Sequence, residues 1–590
     1  MVWDTIPGDV KESLHASSTQ SNISPQDYAG SDACVDCHQQ NHADWSVHPH
    51  RWMNAVADEQ TVLGDFDRGA EISYLGGVAK FYRDQGKYKM RFDRHDLHRD
   101  YEITQTIGSR FHQYYVGKGV EGPEPREHNY YKVEFVLPFG YWLDRQAWVP
   151  IVHVHEELAD NERWESVEEL KPSASSRTSV SGEVGAARGV IDESVDIALH
   201  YARACNYCHT SFPLADMFVR FPKNLGNSIP VKSYFELSDY VAQSHPQIWD
   251  GTQPPEQFAD AEIQALTGEF IAFDARDQAI SLGVGCEACH LGCKAHAQNA
   301  TSHPAFIPQN PHLLSYTDPD AIDSGRTSEN VNAICSRCHA GNRPRYAAGM
   351  ATWNSTEYTD ATRGSCYSEL RCTDCHSPHK ATGKKWPHSP QHDDDRCLRC
   401  HESLREPQRR QRHTHHPAGS TGDHCMNCHM PKINEGMQDV VRTHAIFSPT
   451  NPAMIEANQP NACNLCHLDK PIDWTISYLQ SWYGRVYAQQ MIMQNYPVRA
   501  QPVGLGWLKQ NHAPTRLVTA QAVADQQATW ALPALLQMLD DPYLLNRQFA
   551  QVSVERLIGA QLDKRFGYWY YMTEQQRQPI VQSMQKTLGQ

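Results

Sequence analysis

The chain has 590 residues, 40% hydrophobic and 21% charged, with a formal charge of −16 at pH 7. That length exceeds one hydrophobic core and implies about three or four domains. A mean hydropathy of −0.62 is lean for such a chain, so something besides aliphatic side chains must fill part of the interior. The acidic balance excludes nucleic acid, whose phosphates it would repel. No stretch of the sequence approaches the roughly 18 consecutive apolar residues of a membrane-spanning helix. The unusual entries in the composition are 18 Cys and 32 His, which point to metal or haem chemistry rather than a disulfide framework.

The sequence opens Met1-Val2-Trp3-Asp4-Thr5-Ile6-Pro7, without the basic start or apolar stretch of an export signal. A Cys-x-x-Cys-His motif follows at Cys34, Cys37 and His38. Positions i, i+3 and i+4 share one face of a helical turn, so two thiols and an imidazole can meet a single flat ligand. In c-type haem attachment the thiols become thioethers to the two vinyl groups and the His takes one axial site on iron. Residues 1–60 read as a single-haem segment.

About 170 residues without a second motif come next. Within 61–170 the text alternates as strands do. Lys80–Arg83 and Tyr88–Phe92 flank Asp84-Gln85-Gly86-Lys87 and predict a hairpin. Tyr101–Ile107, Tyr131–Leu137 and Ala147–Val154 are further strands rich in aromatic and β-branched residues. The expectation is a small β module, either a packing unit or a cap over a haem. Residues 171–199, small and polar from Pro172 to Gly189, read as a linker.

Seven more motifs crowd into 200–470: Cys205-Cys208-His209, Cys286-Cys289-His290, Cys335-Cys338-His339, Cys372-Cys375-His376, Cys397-Cys400-His401, Cys425-Cys428-His429 and Cys463-Cys466-His467. Chance placement at this composition would yield about 0.03 such pentapeptides in the whole chain. Zinc would call for paired Cys-x-x-Cys units or His at other offsets, not a His directly after every second Cys. Eight covalent haems follow, their iron held by His38, His209, His290, His339, His376, His401, His429 and His467. Intervals this short leave room for little besides motif-bearing helices, so the haems themselves form the core.

A haem with His on both faces can only pass electrons, whereas one lacking a second ligand offers a substrate site. The 32 His leave twenty-four beyond the motifs. By short offset from a motif, the distal candidates are His48, His296, His379, His416 and His444. His112, His153, His155, His200, His245, His312 and His392 form a weaker pool for the other three irons. Met53 and Met430 rank below them, because Met shows no repeated offset.

Gly285-Cys286-Glu287-Ala288-Cys289-His290 with a His six residues on is one of four informative stretches. The others are Cys372-Thr373-Asp374-Cys375-His376-Ser377-Pro378-His379, Cys425-Met426-Asn427-Cys428-His429-Met430-Pro431 and Pro460-Asn461-Ala462-Cys463-Asn464-Leu465-Cys466-His467. Together they resemble the multihaem cytochromes c with doubled Cys-x-x-Cys-His segments, a grouping related to hydroxylamine-oxidoreductase-like octahaem proteins. The resemblance covers about residues 200–470, with a weaker echo at 28–53. It implies the same five distal His. Leu291-Gly292-Cys293 stands where similar proteins carry a Gly-Pro-Gly-like turn.

After His467 the pattern becomes helical at 471–590: Trp474–Tyr483, Thr515–Ala524, Leu532–Leu539 and Asn546–Ile558. Pro533–Pro542 resembles part of a HEAT-type repeat, so this module is a scaffold flank or a docking face. The expected fold is therefore mainly α with little regular structure around a haem core, a β module near the N-terminus and a helical C-terminal module. Cys293 and Cys366 are left over, as one disulfide or two separate thiols. Arg405, Arg409, Arg410 and Arg412 read first as a solvated charge run.

Haem is attached to reduced thiols outside the cytoplasm, so the expected location is periplasmic or extracellular. The leading expectation is an octahaem electron carrier with redox partner proteins that are basic or haem-bearing, and with multimers or filaments open to it. The rival is a multihaem oxidoreductase acting on nitrite, hydroxylamine or tetrathionate at a five-coordinate haem. A third reading is a structural subunit docking through 474–590. No Cys-x-x-Cys-Lys occurs, so no motif supplies a lysine-ligated catalytic haem.

Overall fold

A computed structural model describes residue 6 and residues 8–74, 76–94, 97–151, 201–221, 225–253 and 257–589. The linker read at 171–199, and His153, His155 and His200, lie outside the described residues.

Seven strands form a continuous antiparallel meander. They are β1 (Ala70–Tyr74), β2 (Gly77–Asp84), β3 (Lys87–Arg94), β4 (Leu97–Ile107), β5 (His112–Glu121), β6 (Phe139–Trp142) and β7 (Ala147–Pro150), each pairing with the next in sequence. The β2–β3 hairpin forms where its turn residues dictate. Gln85 and Gly86 both take positive φ, 49° and 79°, as a two-residue type I′ turn requires. Ala79, Phe81, Tyr88, Met90 and Phe92 point inward, while Lys80, Lys87 and the flanking polar residues face out. Register shifts between β4 and β5, at Asp100/Tyr101 and at Ile103/Gln105, bend the sheet. Its ends curl together, and Phe81 of β2 stacks on Trp148 of β7 at 3.7 Å with 2° between planes. Aromatic side chains (Phe66, Tyr74, Phe81, Tyr115, Phe139, Trp148) fill the enclosed space, so this is a packed unit rather than a ligand cavity.

The sheet is larger than the module read from sequence. It recruits Ala55–Val56, which pairs with Gln105 and Thr106 of β4. The stretch 131–137 differs from expectation. Only Phe135–Val136 is extended, because a 3₁₀ turn at Asn129–Tyr131 is capped by the His128 side chain accepting from the Tyr130 N–H.

Between the sheet and the C-terminal helices the chain is short helices and loops, including α1 (Gln39–Ser46), α2 (Ser328–His339) and α3 (Pro407–Thr414). Most motifs lie on or beside a single helical turn, as at Cys286–His290 and Cys425–His429. The N-terminal strap returns to this region. Its His15–Ala16 pairs with Leu313–Ser315, and the buried Glu287 carboxylate accepts from the N–H groups of Ala29, Gly30 and Cys293. The bonds from Ala29 and Gly30 fix the first motif against the third.

The C-terminal module contains α4 (Ile472–Tyr483), α5 (Ala513–Asp525), α6 (Leu544–Ile558) and α7 (Glu574–Leu588). Gly484 and Gly559 stop α4 and α6 in the left-handed conformation, φ 65° and 66°. The core around Trp507, Val523, Leu535, Val554 and Tyr568 also takes in Trp142 and Val149 from the sheet. A buried Arg145–Glu555 ion pair clamps the two modules together.

Candidate haem centres

Six motif imidazoles each face a second imidazole at nearly one spacing. The ring centres are 6.2 Å apart for His38–His296, 6.1 Å for His290–His379 and 6.3 Å for His50–His339. They are 6.1 Å apart for His376–His444, 6.0 Å for His413–His429 and 6.2 Å for His416–His467. Two directly stacked ring pairs sit closer, His388–His392 at 4.3 Å and His415–Trp482 at 4.2 Å. A metal–nitrogen bond of about 2.0–2.1 Å on each side, plus about 1.1 Å from nitrogen to ring centre, puts two ligating imidazoles about 6.3 Å apart. The six spacings match that separation, which is the fit expected of iron between two axial His.

Hydrogen bonds at the far side of the rings set the tautomer. Nδ1 of His296, His416 and His429 lies 2.6, 2.6 and 2.9 Å from the carbonyl oxygens of Ser302, Thr414 and Phe447. A carbonyl only accepts, so Nδ1 carries the proton and Nε2 keeps its lone pair for a metal. His339 instead directs Nδ1 to the Glu357 carboxylate at 2.8 Å. Burial pushes His290 and His376 down to about 4 and His50 down to about 3. These rings are thus neutral, the form that binds metal. Flat side chains wall the gaps: Phe306 against His290, Trp386 against His376 and Trp474 against His467.

The thiols show which motifs are neighbours. Cys34 lies beside Cys286, Cys208 beside Cys338, Cys335 beside Cys372 and Cys397 beside Cys425. Cys289 lies beside Cys338, Cys375 beside Cys397, and Cys428 beside Cys463. The motifs thus run first, third, fourth, fifth, sixth, seventh, eighth, with the second branching from the fourth.

His296, His379, His416 and His444 are among the facing imidazoles. His48 is not. Its ring lies 4.6 Å from His50, and its Nδ1 accepts from the His50 N–H at 3.0 Å. In a neutral ring that leaves the proton on Nε2 and no lone pair for iron. His50 and His413 are the residues that sequence reasoning missed. Both lie within His-rich text, His48-Pro49-His50 and His413-Thr414-His415-His416, where nothing local says which ring turns inward.

No second imidazole stands at this spacing from His209 or His401 among the described residues; the ring nearest His209 in kind is Tyr201, at 6.3 Å. Of the weaker pool, His245 bonds Asp216 at 2.7 Å within an apolar cluster and His392 stacks on His388. His112 is buried beside Trp142. His312 groups with Glu236 and Asp239, where Lys11 already supplies the counter-charge. Cys293 and Cys366 form no disulfide. Cys293 sits by Glu287 and Cys286, and Cys366 by Cys397 and Cys400. The arginine run divides. Arg405, Arg409 and Arg412 are exposed, but Arg410 is tied to the buried carboxylates of Asp394 and Asp423.

No protein family matches the chain by sequence, and no curated protein does. Two solved structures align over most of its length. The outer cell wall cytochrome OcwA does so at 12% identity and a TM-score of 0.36, covering 90% of this chain and 100% of that one. The undecahaem cytochrome from the S-layer of Carboxydothermus ferrireducens does so at 13% identity and a TM-score of 0.34, covering 92% and 70%. Likeness at that level does not establish a shared fold, so the chemistry has to be read from this chain's own residues.

Proposed function

We propose that the chain is a multihaem c-type cytochrome carrying eight covalently attached haems, and that it conducts electrons between redox partners outside the cytoplasm. The observation that carries this reading is the set of six imidazole pairs, all 6.0–6.3 Å apart and each including a motif His. Bound between such pairs, haem iron supplies reversible one-electron chemistry and no vacant position for a substrate. The proposed pairs are His38 with His296, His339 with His50, His290 with His379, His376 with His444, His429 with His413, and His467 with His416.

Electron tunnelling falls exponentially with distance, so contact between thiols of successive motifs supports a path from the first motif through the third and fourth to the eighth. Side chains hold this geometry and exclude water. The charge of −16, to which propionates would add, favours basic or haem-bearing partners. Covalent attachment supports a periplasmic or extracellular site, and among the described residues no helix is long and apolar enough to cross a membrane.

Intact mass together with absorption and electron paramagnetic resonance spectra of the purified holoprotein tests the proposal. Eight haem masses and low-spin iron at the six paired centres are expected. Fewer haems, or a high-spin iron at one of those six that turns over nitrite or hydroxylamine, would overturn it.

A further inference from the structure

Glu357 is set apart from every other partner of a motif-paired imidazole described above. The Nδ1 groups of His296, His416 and His429 go to neutral carbonyls, whereas that of His339 goes to a carboxylate at 2.8 Å. The position is built. The second carboxylate oxygen of Glu357 accepts from the Ser355 N–H at 2.9 Å, and Ser355 adopts a φ of +62°, a conformation a non-glycine residue seldom takes. Glu357 also opens the short helix Glu357–Ala361, so its side chain is anchored on both sides. The place matters as much as the bond. The fourth motif, which ends in His339, touches the second through Cys338–Cys208 and the fifth through Cys335–Cys372, and it neighbours the third through Cys289. It is the fork of the path.

A carboxylate on the outer nitrogen of a ligating His makes the ring a stronger donor and brings negative charge toward the metal. Both effects favour the oxidised, more positive iron. Resting on the multihaem reading above, we infer that Glu357 is a tuning residue that gives the fourth-motif centre the lowest reduction potential of the six paired centres. Electrons then cross the fork without resting there. Charge held on the limb from the fifth to the eighth motif is separated by this step from charge on the first, third and second.

The test is a spectroelectrochemical titration of the full-length holoprotein, comparing wild type with E357Q, E357A and E357D, and with E369Q as a control on the exposed Glu369. The Gln variant keeps a single acceptor oxygen, enough for Ser355 or for His339 but not for both, and loses the charge. E357Q and E357A should each move the lowest of the transitions upward, the electron-sharing equilibrium changing about tenfold or more, which for one electron is about 59 mV. E357D should recover part of the shift, and E369Q should leave all transitions in place. Eight haem masses and six low-spin paired centres with no upward movement in E357Q and E357A would overturn the inference and leave the multihaem reading standing. A wild-type protein lacking a haem at Cys335 and Cys338, read by peptide mass, would remove both.

Discussion

Two histidines two residues apart, His48 and His50, provide a sharp test of the paired-imidazole geometry. Offset from the first motif favours His48, yet the ring that faces a motif His is His50, 6.3 Å from His339. That value coincides with the separation of about 6.3 Å worked out for two imidazoles on one metal. His48 has its Nδ1 occupied as an acceptor from the His50 backbone. Replacing His50 by Ala should therefore open one iron of eight. About an eighth of the ferric haem should turn high-spin and bind cyanide, while the haem mass stays at eight because the thioethers are untouched. Replacing His48 by Ala should leave every spectrum as in wild type, since the N–H of residue 50 can turn to water at modest cost. The assay is paramagnetic resonance of the oxidised protein with and without cyanide. A high-spin signal in H48A, with H50A unchanged, would refute both the distance argument and the tautomer argument behind it.

His413→Ala should open the seventh-motif iron in the same way, whereas His415→Ala, which removes a ring stacked on Trp482 at 4.2 Å, should not; cyanide titration distinguishes them. Burial raises the Asp394 carboxyl, but the hydrogen bonds from His424 and Arg410 outweigh it and hold the group below its usual range. A depressed carboxylate contributes stability above its unfolded value of about 3.9 and loses it as pH falls through the folded value. D394N should therefore cost about 1–3 kcal/mol at pH 7, and denaturant melts should show the gap to wild type closing below about pH 4; a gap that persists there would sink the assignment. Trp507 is fully buried and donates to Asn458 at 2.9 Å. Trp507→Ala should cost about 3–5 kcal/mol in the C-terminal module, read from the helical circular-dichroism transition, with the haem spectra retained.

Local features were legible before any fold was known. The β2–β3 hairpin was readable because Gln85-Gly86 is a turn between strictly alternating runs. The helices α4, α5 and α6 were readable because their apolar residues repeat at helical spacing. Less legible was the extent of the sheet. Ala55–Val56 is too short to signal a strand and is extended only because β4 offers it an edge. The 131–137 stretch misled in the opposite sense, since strand-like composition there lost to a side-chain cap from His128. Within the His-rich texts, composition put several imidazoles near the motifs and could not rank them.

What the sequence determined by itself is the local motif: two thiols and an imidazole lie at i, i+3 and i+4, and a single helical turn is enough to converge them. What the tertiary structure alone decided is which second imidazole faces six of the motif His. His38 meets His296 and His50 meets His339 only after the N-terminal strap, pinned by Glu287, has folded back across the third and fourth motifs. The order of the motifs in space is decided the same way. Contacts between residues distant in the chain depend on how the intervening segments pack, and no local spacing records that.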